Sequence, residues 1–219
     1  MALFTGKGDN GTTKVFGCNQ RISKSSAIAE ALGSLDEINS FLGLCKTQAN
    51  HLGFSLGPEK LSKIVHDIQK NLFIIQAELA GADKTIEERK VKDAEDIINT
   101  IEKTLPPIKS FFISGATPFI TREQLGGAGL GSIFDIARTI ARRAERRVVA
   151  VHEEQINKTL FENDFPSQKI EQEGEVAQEP RVISSHTLAY LNRLSSILYA
   201  LARYSNHLAG IEEEAPDYR

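Results

Sequence analysis

Apolar residues recur at spacings of three and four along most of the chain, which is the pattern of helices that bury one face. The first stretch holds Ala31, Leu35, Ile38 and Leu42, and the glycine at position 53 interrupts it. Further stretches follow the same spacing, and prolines end the third. The pattern predicts helices from about 23 to that glycine and at about 59–79, 88–104, 133–154 and 183–208.

No segment alternates apolar and polar residues over any length, so we predict no β-sheet. The two longest connections differ in character. Residues 108–131 are irregular and rich in glycine, and residues 155–181 are polar and acidic, which is typical of an exposed loop. Five helices with long connections predict an all-α bundle. We expect one domain over residues 1–219, with an N-terminal loop at 1–22 and the bundle at 23–210.

Composition, charge and hydropathy argue against several classes of protein. Of the 219 residues, 41% are hydrophobic and 25% are charged, as in ordinary globular proteins, and the net charge of −3 argues against a nucleic-acid binder. No apolar run approaches the ~20 residues of a membrane span, and the N-terminus has no targeting pattern. We therefore expect a cytoplasmic protein. Cys18 and Cys45 lack zinc or redox spacing, so two free thiols are favoured over a disulfide.

The N-terminal stretch from Thr5 to Lys14 contains the first segment that could carry chemistry. Its glycines, Gly6, Gly8 and Gly11, would let backbone N–H groups approach an anion, and neighbouring lysines would add positive charge. The segment does not match the P-loop pattern, and no strand precedes it. Two interpretations stay open, a flexible tail and a loop that holds phosphate.

An arginine-rich run is the second segment. At about 100° per residue, Arg138, Arg142 and Arg146 lie within about 80° of one another on a helix, with Glu145 on the same face. Arginines at this spacing repel one another unless an anion or carboxylates neutralise them. A solvated face with Glu–Arg pairs is one interpretation. A triphosphate is the other, because the guanidinium group matches phosphate oxygens.

The remaining arginines of the run, Arg143 and Arg147, point largely the other way. Ile136, Ile140 and Val148 indicate that the helix is partly buried. Arginines that enter a packed bundle need partners, which favours a bound anion over plain solvation.

Two polar pairs have helical spacing. Asn192 and Ser195 are three residues apart, as are Asp36 and Asn39, so each pair shares a helix face. Both could be ordinary surface residues. Asp36 is also a natural counter-charge for Arg138. No H-x-x-x-H, Glu-x-x-His or G-x-S-x-G pattern occurs, which argues against a di-iron bundle and against a serine hydrolase.

Taken in order, these segments resemble the PduO-type ATP:cob(I)alamin adenosyltransferase family. The matching pieces are Thr-Gly-Lys-Gly-Asp-Asn-Gly at 5–11, Lys24 with the run 30–39, Phe-Ile-Ser-Gly at 112–115, the arginine run at 138–146 and Tyr-Leu-Asn-Arg-Leu-Ser at 190–195. Each piece alone is weak, but the ordered set is specific and covers residues 5 to 206.

The resemblance implies a five-helix bundle of the ferritin-like, cobalamin adenosyltransferase type that assembles as a homotrimer with active sites between subunits. The enzyme would move the 5′-deoxyadenosyl group of ATP to cob(I)alamin and release triphosphate. Mg²⁺ would be held mainly through ATP rather than by a protein site. A cob(II)alamin reductase and an adenosylcobalamin-dependent enzyme would be partners, and nucleic acid and membrane would not.

The resemblance also implies residue roles. Asp36 would pair with Arg138 across the subunit interface, and Phe112 would lie over the lower face of the corrin, favouring four-coordinate cobalt. Asp36, Asn39, Phe112 and Ser195 would contact cobalamin, and Arg138 and Arg142 would serve catalysis with Asp36 and Phe112. ATP would be bound by Thr5, Gly6, Lys7, Gly8, Thr13, Lys14, Lys24, Arg142, Arg143, Glu145, Arg146 and Asn192.

One departure from the family weakens part of this assignment. Members usually have Pro-Gly-Gly after the phenylalanine–aliphatic pair, whereas this chain has Ser114-Gly115-Ala116. Phe111 could then replace Phe112. An ATP-binding bundle that acts as a sensor or delivers the cofactor, without transferase activity, is therefore the alternative function. A purely structural helical oligomer is a third interpretation, but it leaves the arginine face unexplained.

Overall fold

The computed structural model describes residues 3–15, 21–108, 110, 112–115, 120–164 and 182–218. Within them, five helices and two small antiparallel sheets follow one another. In chain order they are β1 (Thr12–Lys14), β2 (Arg21–Ser23), α1 (Ala27–Leu52), β3 (Ser55–Leu56), β4 (Glu59–Lys60), α2 (Leu61–Leu79), α3 (Glu88–Thr104), α4 (Leu125–Asp164) and α5 (Ser185–Leu208). β1 pairs with β2, and β3 pairs with β4.

The helices form one bundle around a continuous apolar core. α1 packs against α2 and α4, and α5 packs against α4 and α3. The core is closed by fully buried side chains from each of these helices, among them Leu35, Ile38, Leu42, Leu72, Ile75, Ile101, Phe134, Leu191 and Leu194. Burial of this apolar surface is the main source of the bundle's stability.

Polar contacts join α2 to α5 within this core. The Asn71 side-chain amide donates to the Tyr190 hydroxyl at 3.0 Å. Glu78 accepts hydrogen bonds from the Ser184 backbone N–H at 2.7 Å and from the Thr187 hydroxyl at 2.5 Å. Ser184 is also the N-cap of α5. These bonds determine how α5 lies along α2 and therefore where its C-terminal half, which carries site residues, is placed.

The five predicted helices and the all-α class are confirmed, but α4 begins earlier than predicted. The glycine-rich run at 126–131 was expected to be irregular, and it forms the first turns of α4. Glycine lowers helix propensity by about 1 kcal/mol relative to alanine. Here it permits close packing, because a Cβ atom at Gly127 would collide with Ala209 and one at Gly131 would collide with Asn206.

Two further expectations are wrong. The chain contains short strands, because β1 and β2 close a hairpin that pairs Thr13 with Ile22. A three-residue strand is too short to show alternation in the sequence. Residues 155–164, which were expected to be part of a loop, belong to α4, and residues 165–181 lie outside the described residues.

The structure also describes one of the two cysteines and the length of each helix. Cys45 is a free, fully buried thiol, and burial raises its pKa to about 12. Cys18 lies outside the described residues. Among the helices that the structure describes, none is both long enough and apolar enough to span a bilayer.

Candidate active site

A cavity of about 530 Å³ opens between α4, α5 and the segment that precedes α4. It brings together four residues that the sequence analysis assigned to catalysis or cobalamin binding, namely Phe112, Arg138, Arg142 and Ser195. The other lining residues are Ile108, Ser110, Ser114, Asp135, Ser196 and Tyr199. The cavity therefore combines two aromatic rings with two guanidinium groups, which suits a large, partly apolar ligand next to an anion.

Arg138 is held at the wall of this cavity by two contacts. Its Nε atom donates to the Asp135 Oδ1 at 2.6 Å, one helical turn away on α4. Its guanidinium carbon lies 5.8 Å from the centroid of the Tyr199 ring on α5. Asp135 also accepts a hydrogen bond from the Ser114 hydroxyl, so the segment before α4 is tied to the same carboxylate.

Asp36, the predicted partner of Arg138, is exposed on α1 and does not line the cavity of its own chain. Within one chain, Arg138 pairs with Asp135 instead. The predicted pairing across an interface remains a prediction. Asn39 is only 5% exposed, its backbone carbonyl accepts from the Gln69 amide, and its Oδ1 has no partner among the described residues.

The arginines of α4 divide into two groups. Arg143 forms an ion pair with Glu37, and Arg147 lies 3.7 Å from Glu30, so both reach α1. Arg142 and Arg146 are exposed, and in the described part of the chain neither forms an ion pair or a side-chain hydrogen bond. Arg143 and Arg147 are therefore directed towards α1, whereas Arg142 lines the cavity.

Glu145 and Asn192 connect α4 to α5 beside this face. The Asn192 amide donates to the Glu145 carboxylate at 3.2 Å, and the Asn192 carbonyl oxygen accepts from Arg193 at 2.8 Å. Arg193 in turn pairs with Glu95 of α3 at 2.9 Å. The Ser195 hydroxyl donates to the Asn192 backbone carbonyl at 3.3 Å. A short polar chain therefore leads from α3 to the edge of the cavity.

The N-terminal segment folds into an ordered loop around Arg21. This side chain donates to the Thr12 hydroxyl at 2.7 Å, to the Thr12 carbonyl at 2.8 Å and to the Lys7 carbonyl at 2.5 Å. The loop turns at Gly6 and Gly11, whose φ angles of 65° and 79° strongly favour glycine. Arg21 thus holds the loop at Lys7 and Thr12, while phosphate binding by the loop remains a prediction.

Lys24 lies beside the first turn of this loop. A Cβ atom at Gly8 would lie 3.2 Å from both the Lys24 Nζ and the Thr12 carbonyl oxygen. The Lys7 backbone N–H donates to the Thr5 hydroxyl at 3.4 Å. Thr13 and Lys14 belong to β1. In the described residues, no hydrogen bond joins this loop to α4 or α5.

Among the residues at or beside the site that were not assigned a role from the sequence are Asp135, Tyr199 and Arg203. Asp135 precedes Arg138 by three residues, and Tyr199 follows Ser195 by four, so helical spacing alone could have indicated both. Arg203 could not be found in this way. Its guanidinium carbon lies 5.0 Å from the centroid of the Phe112 ring, and that contact depends on a loop that the helical pattern does not describe.

The site offers no metal centre of its own in the part of the chain that is described, where no three His, Cys, Asp or Glu side chains come together. Burial raises the pKa of Tyr199, although Arg203 opposes the shift. Tyr199 therefore stays protonated at neutral pH and contributes a hydroxyl and an aromatic surface.

Comparison with known proteins is consistent with this geometry. The model of the family described as cobalamin adenosyltransferase matches residues 3–205. The chain belongs to the cobalamin adenosyltransferase family. The predicted resemblance is confirmed, as is the prediction of an enzyme of this class.

Curated relatives are similar over nearly the whole chain. The corrinoid adenosyltransferase PduO of Citrobacter freundii is 33% identical over 94% of this chain, and the chain spans about half of that relative, 50% of its length. The corrinoid adenosyltransferase of Bacillus subtilis is 33% identical over 96% of this chain and 90% of the relative.

Solved structures have the same fold. A variant PduO-type ATP:corrinoid adenosyltransferase from Lactobacillus reuteri, complexed with cobalamin and ATP, is 26% identical with a TM-score of 0.73. The match covers 98% of this chain and 99% of the other. A further variant of the Lactobacillus reuteri enzyme, complexed with ATP, is 25% identical with a TM-score of 0.68 over 98% and 100% of the two chains.

Proposed function

We propose that this chain transfers the 5′-deoxyadenosyl group of ATP to the cobalt of cob(I)alamin, forming adenosylcobalamin and triphosphate. The observation that carries the proposal is the cavity itself, where Phe112 and Tyr199 lie beside Arg138 and Arg142. A corrin ring can pack against the aromatic side chains while a polyphosphate binds the arginines, so the cavity suits both substrates. Family membership supports the same reaction.

The corrin would occupy the aromatic side of the cavity. Co(I) is the nucleophile, so its attack on C5′ forms the Co–C bond while the C–O bond to the triphosphate breaks. Phe112 would cover the lower face of the corrin and exclude water from cobalt there. Ser195, Ser196 and Tyr199 offer hydroxyl groups to the polar edge of the ring. The chain contributes orientation, since bringing C5′ and cobalt within reach accounts for much of such a rate enhancement.

The triphosphate would be held by the two α4 arginines that are free of partners among the described residues. Arg142 lines the cavity and Arg146 lies one turn further along α4, so both can stabilise the charge that develops on the leaving group. Gly6, Gly8 and Lys24 would hold the other phosphate oxygens. Mg²⁺ would bind mainly through ATP, because it retains several waters and is commonly held by substrate phosphates.

Assembly would complete the site. Because no hydrogen bond joins the described residues of the N-terminal loop to α4, we infer that a neighbouring subunit supplies one of these two segments, as in a homotrimer. Asp36 of that subunit would then reach Arg138. Leu44 on α1 and Ile136 on α4 are each about half exposed, at 52% and 50%, and offer apolar surface to the neighbour.

One observation favours the alternative, an ATP-binding bundle without transferase activity. Ser114 stands where family members usually have proline, and its hydroxyl is bound to Asp135 at the rim of the corrin side. This contact adds polar groups where an apolar corrin face is expected. The cytoplasmic location and the reductase partner remain predictions on either view.

The test is an anaerobic assay with chemically reduced cob(I)alamin and MgATP, followed by loss of Co(I) absorbance. We expect light-sensitive adenosylcobalamin and stoichiometric triphosphate. Tight ATP binding in calorimetry without product would establish the alternative, and no ATP binding would contradict both functions. Analytical ultracentrifugation of the same sample measures the assembly, and a monomer that is fully active would exclude shared sites.

A further inference from the structure

We propose that Arg203, held by Glu213 of the C-terminal segment, is a positioning residue that fixes the Phe112 ring against the corrin. The inference rests on the proposed function, because it takes the main cavity as the corrin site. It concerns a part of the chain, residues 209–218, to which the sequence analysis assigned no role.

Arg203 is the most deeply buried lysine or arginine among the described residues. The residue is 6% exposed, its Nε donates to the Glu213 Oε2 at 2.7 Å, and its Nη2 donates to the Pro106 carbonyl at 3.3 Å. A buried guanidinium has few alternative positions when three groups fix it. The third is the Phe112 ring, whose centroid lies 5.0 Å from the guanidinium carbon, within the range of a cation–π contact.

The position of Arg203 relative to the cavity decides its role. Phe112 lines the main cavity and also a second cavity of about 390 Å³ beside the C-terminal segment. Arg203 and Glu213 line the second cavity and are not among the residues that line the first. Arg203 also lines a cavity of about 30 Å³ with Phe112, Asp135 and Tyr199, so it lies behind the wall of the main cavity, and a substrate there would meet Phe112 rather than the cation.

The backbone of the C-terminal segment is bound to the same loop. The Ile113 N–H donates to the Glu214 carbonyl at 2.8 Å, directly after Phe112. The Gln124 amide donates to the Gly210 carbonyl at 2.8 Å, and Ile211 is buried between these contacts. Residues 210–214 thus hold the Phe112 loop from outside the bundle, with one backbone bond and one ion pair on adjacent residues.

A defined ring position matters for the reaction because Phe112 can exclude an axial ligand only if it stays close to cobalt. When the Glu213 carboxylate is removed, Arg203 loses its ion pair, and its guanidinium group can turn towards solvent. The Phe112 ring then loses the guanidinium group that packs behind it. We expect the loop to open more often, so that cob(II)alamin retains an axial ligand and becomes harder to reduce.

The experiment compares Glu213→Ala with Glu214→Ala, which removes an adjacent carboxylate but leaves the backbone bond to Ile113. Cob(II)alamin with excess ATP is examined by electron paramagnetic resonance for the four-coordinate fraction. Hydrogen exchange of the peptide covering 110–115 and ATP calorimetry are measured on the same samples. We expect Glu213→Ala to lower the four-coordinate fraction at least fivefold and to speed exchange of the Ile113 amide at least fivefold, with ATP affinity within twofold of the parent. Glu214→Ala should match the parent in all three.

Arg203→Lys provides the second test and guards against a Glu213→Ala protein that does not fold. It keeps the positive charge but loses the planar group that bonds Glu213 and Pro106 while facing the ring, so we expect the same two changes at a smaller size. Unchanged coordination and unchanged exchange in whichever variant folds would overturn the proposal. If the parent makes no adenosylcobalamin, the proposed function fails, and the exchange result alone then decides whether Arg203 positions Phe112.

Discussion

Two groups of arginines on the same helix have different surroundings. On the side of α4 that faces α1, Arg143 and Arg147 meet Glu37 and Glu30 across the helix interface. Arg142, which lines the cavity, and Arg146, one turn further along α4, have no ion-pair or hydrogen-bond partner among the described residues. The four lie within six positions of one another, so helix propensity and local composition do not explain the difference.

The difference shows what separates a structural arginine from one available to a substrate. Exposed ion pairs such as those to α1 contribute between 0 and about 1 kcal/mol to stability. Folding does not depend on Arg142 and Arg146, because they are exposed and have no partners in the described part of the chain. They nevertheless place two positive charges, 40° apart around the helix axis, close to the aromatic cavity. We expect substitutions on the cavity side to change catalysis and substitutions on the α1 side to change stability slightly.

Arg142→Ala should produce the largest effect. Loss of a charged donor to the leaving triphosphate should lower kcat/KM about 10²- to 10³-fold, the range seen when a donor to developing negative charge is removed. The melting temperature should stay within about 2 °C of the parent, because Arg142 makes no contact that folding uses. The measurement is the cob(I)alamin assay together with thermal unfolding.

Arg147→Ala is the matched control for this prediction. It removes the same group from the same helix at the α1 interface, where the pair to Glu30 is loose at 3.7 Å. Activity should fall less than twofold. If both variants lose activity equally, the division of α4 into two faces is not functional, and a general loss of positive charge explains the result.

Two tyrosines of α5 differ in burial, and burial determines how each affects the pH dependence of stability. Tyr190 is 2% exposed in the core, and burial raises its pKa from 10.0 to about 12. Below pH 10 the folded and unfolded chains both keep the phenol proton, so Tyr190 adds no pH dependence. Between pH 10 and 12 only the unfolded chain loses that proton, and the free energy of unfolding should therefore fall by about 3 kcal/mol from this group.

Tyr190→Phe isolates this contribution in urea unfolding measured from pH 9 to 12. The variant loses the bond from Asn71 and should be less stable at pH 9 by about 1–3 kcal/mol, but its stability should depend less steeply on pH above 10. Tyr199→Phe, at the cavity, should flatten the alkaline slope less than Tyr190→Phe, because burial also raises the pKa of Tyr199 but this side chain is only partly buried. Equal slopes in the parent and Tyr190→Phe would show that the phenol is not buried as described.

The bundle was largely predictable because burial of one helix face leaves a mark at every third or fourth residue. Where helix formation depends on a distant contact, the pattern fails. The glycines at 126–131 read as a loop, and only the approach of Ala209 and Asn206 explains why they are helical. The β1–β2 hairpin was missed because Arg21, rather than any apolar alternation, holds it.

The site was predictable in part for the same reason. Phe112, Arg138, Arg142 and Ser195 were singled out from spacing and family resemblance, and the fold brings them to one cavity. Asp36 and Asn39 are not in that cavity within one chain, and the pairing of Asp36 with Arg138 across a subunit interface remains a prediction. Arg203 was missed since its contact with Phe112 joins two segments about ninety residues apart.

Lys24→Ala tests the other phosphate-binding segment and should have an intermediate effect. Lys24 lies against the turn at Gly8, where its ammonium group can meet a phosphate oxygen. Loss of one charged hydrogen bond, worth roughly 1.5 kcal/mol, should weaken ATP binding about tenfold in calorimetry. Lys84→Ala, an exposed lysine between α2 and α3, is the control and should bind ATP like the parent. Equal affinities for all three proteins would remove the N-terminal loop from the ATP site.

The smallest effect on ATP binding is expected at Arg143, for which the sequence and the structure suggest different partners. The family resemblance assigns Arg143 to ATP, whereas the fold pairs it with Glu37 on the α1 side. A double-mutant cycle of Arg143→Ala and Glu37→Ala should give a coupling energy of less than about 1 kcal/mol in urea unfolding, as for other half-exposed pairs. ATP affinity should change less than twofold. A loss of affinity in Arg143→Ala near that of Arg142→Ala would mean that the ion pair opens when ATP binds, because a guanidinium that stays on Glu37 cannot also donate to phosphates held by Arg142 and Arg146, which lie about 100° and 60° around the helix from Arg143.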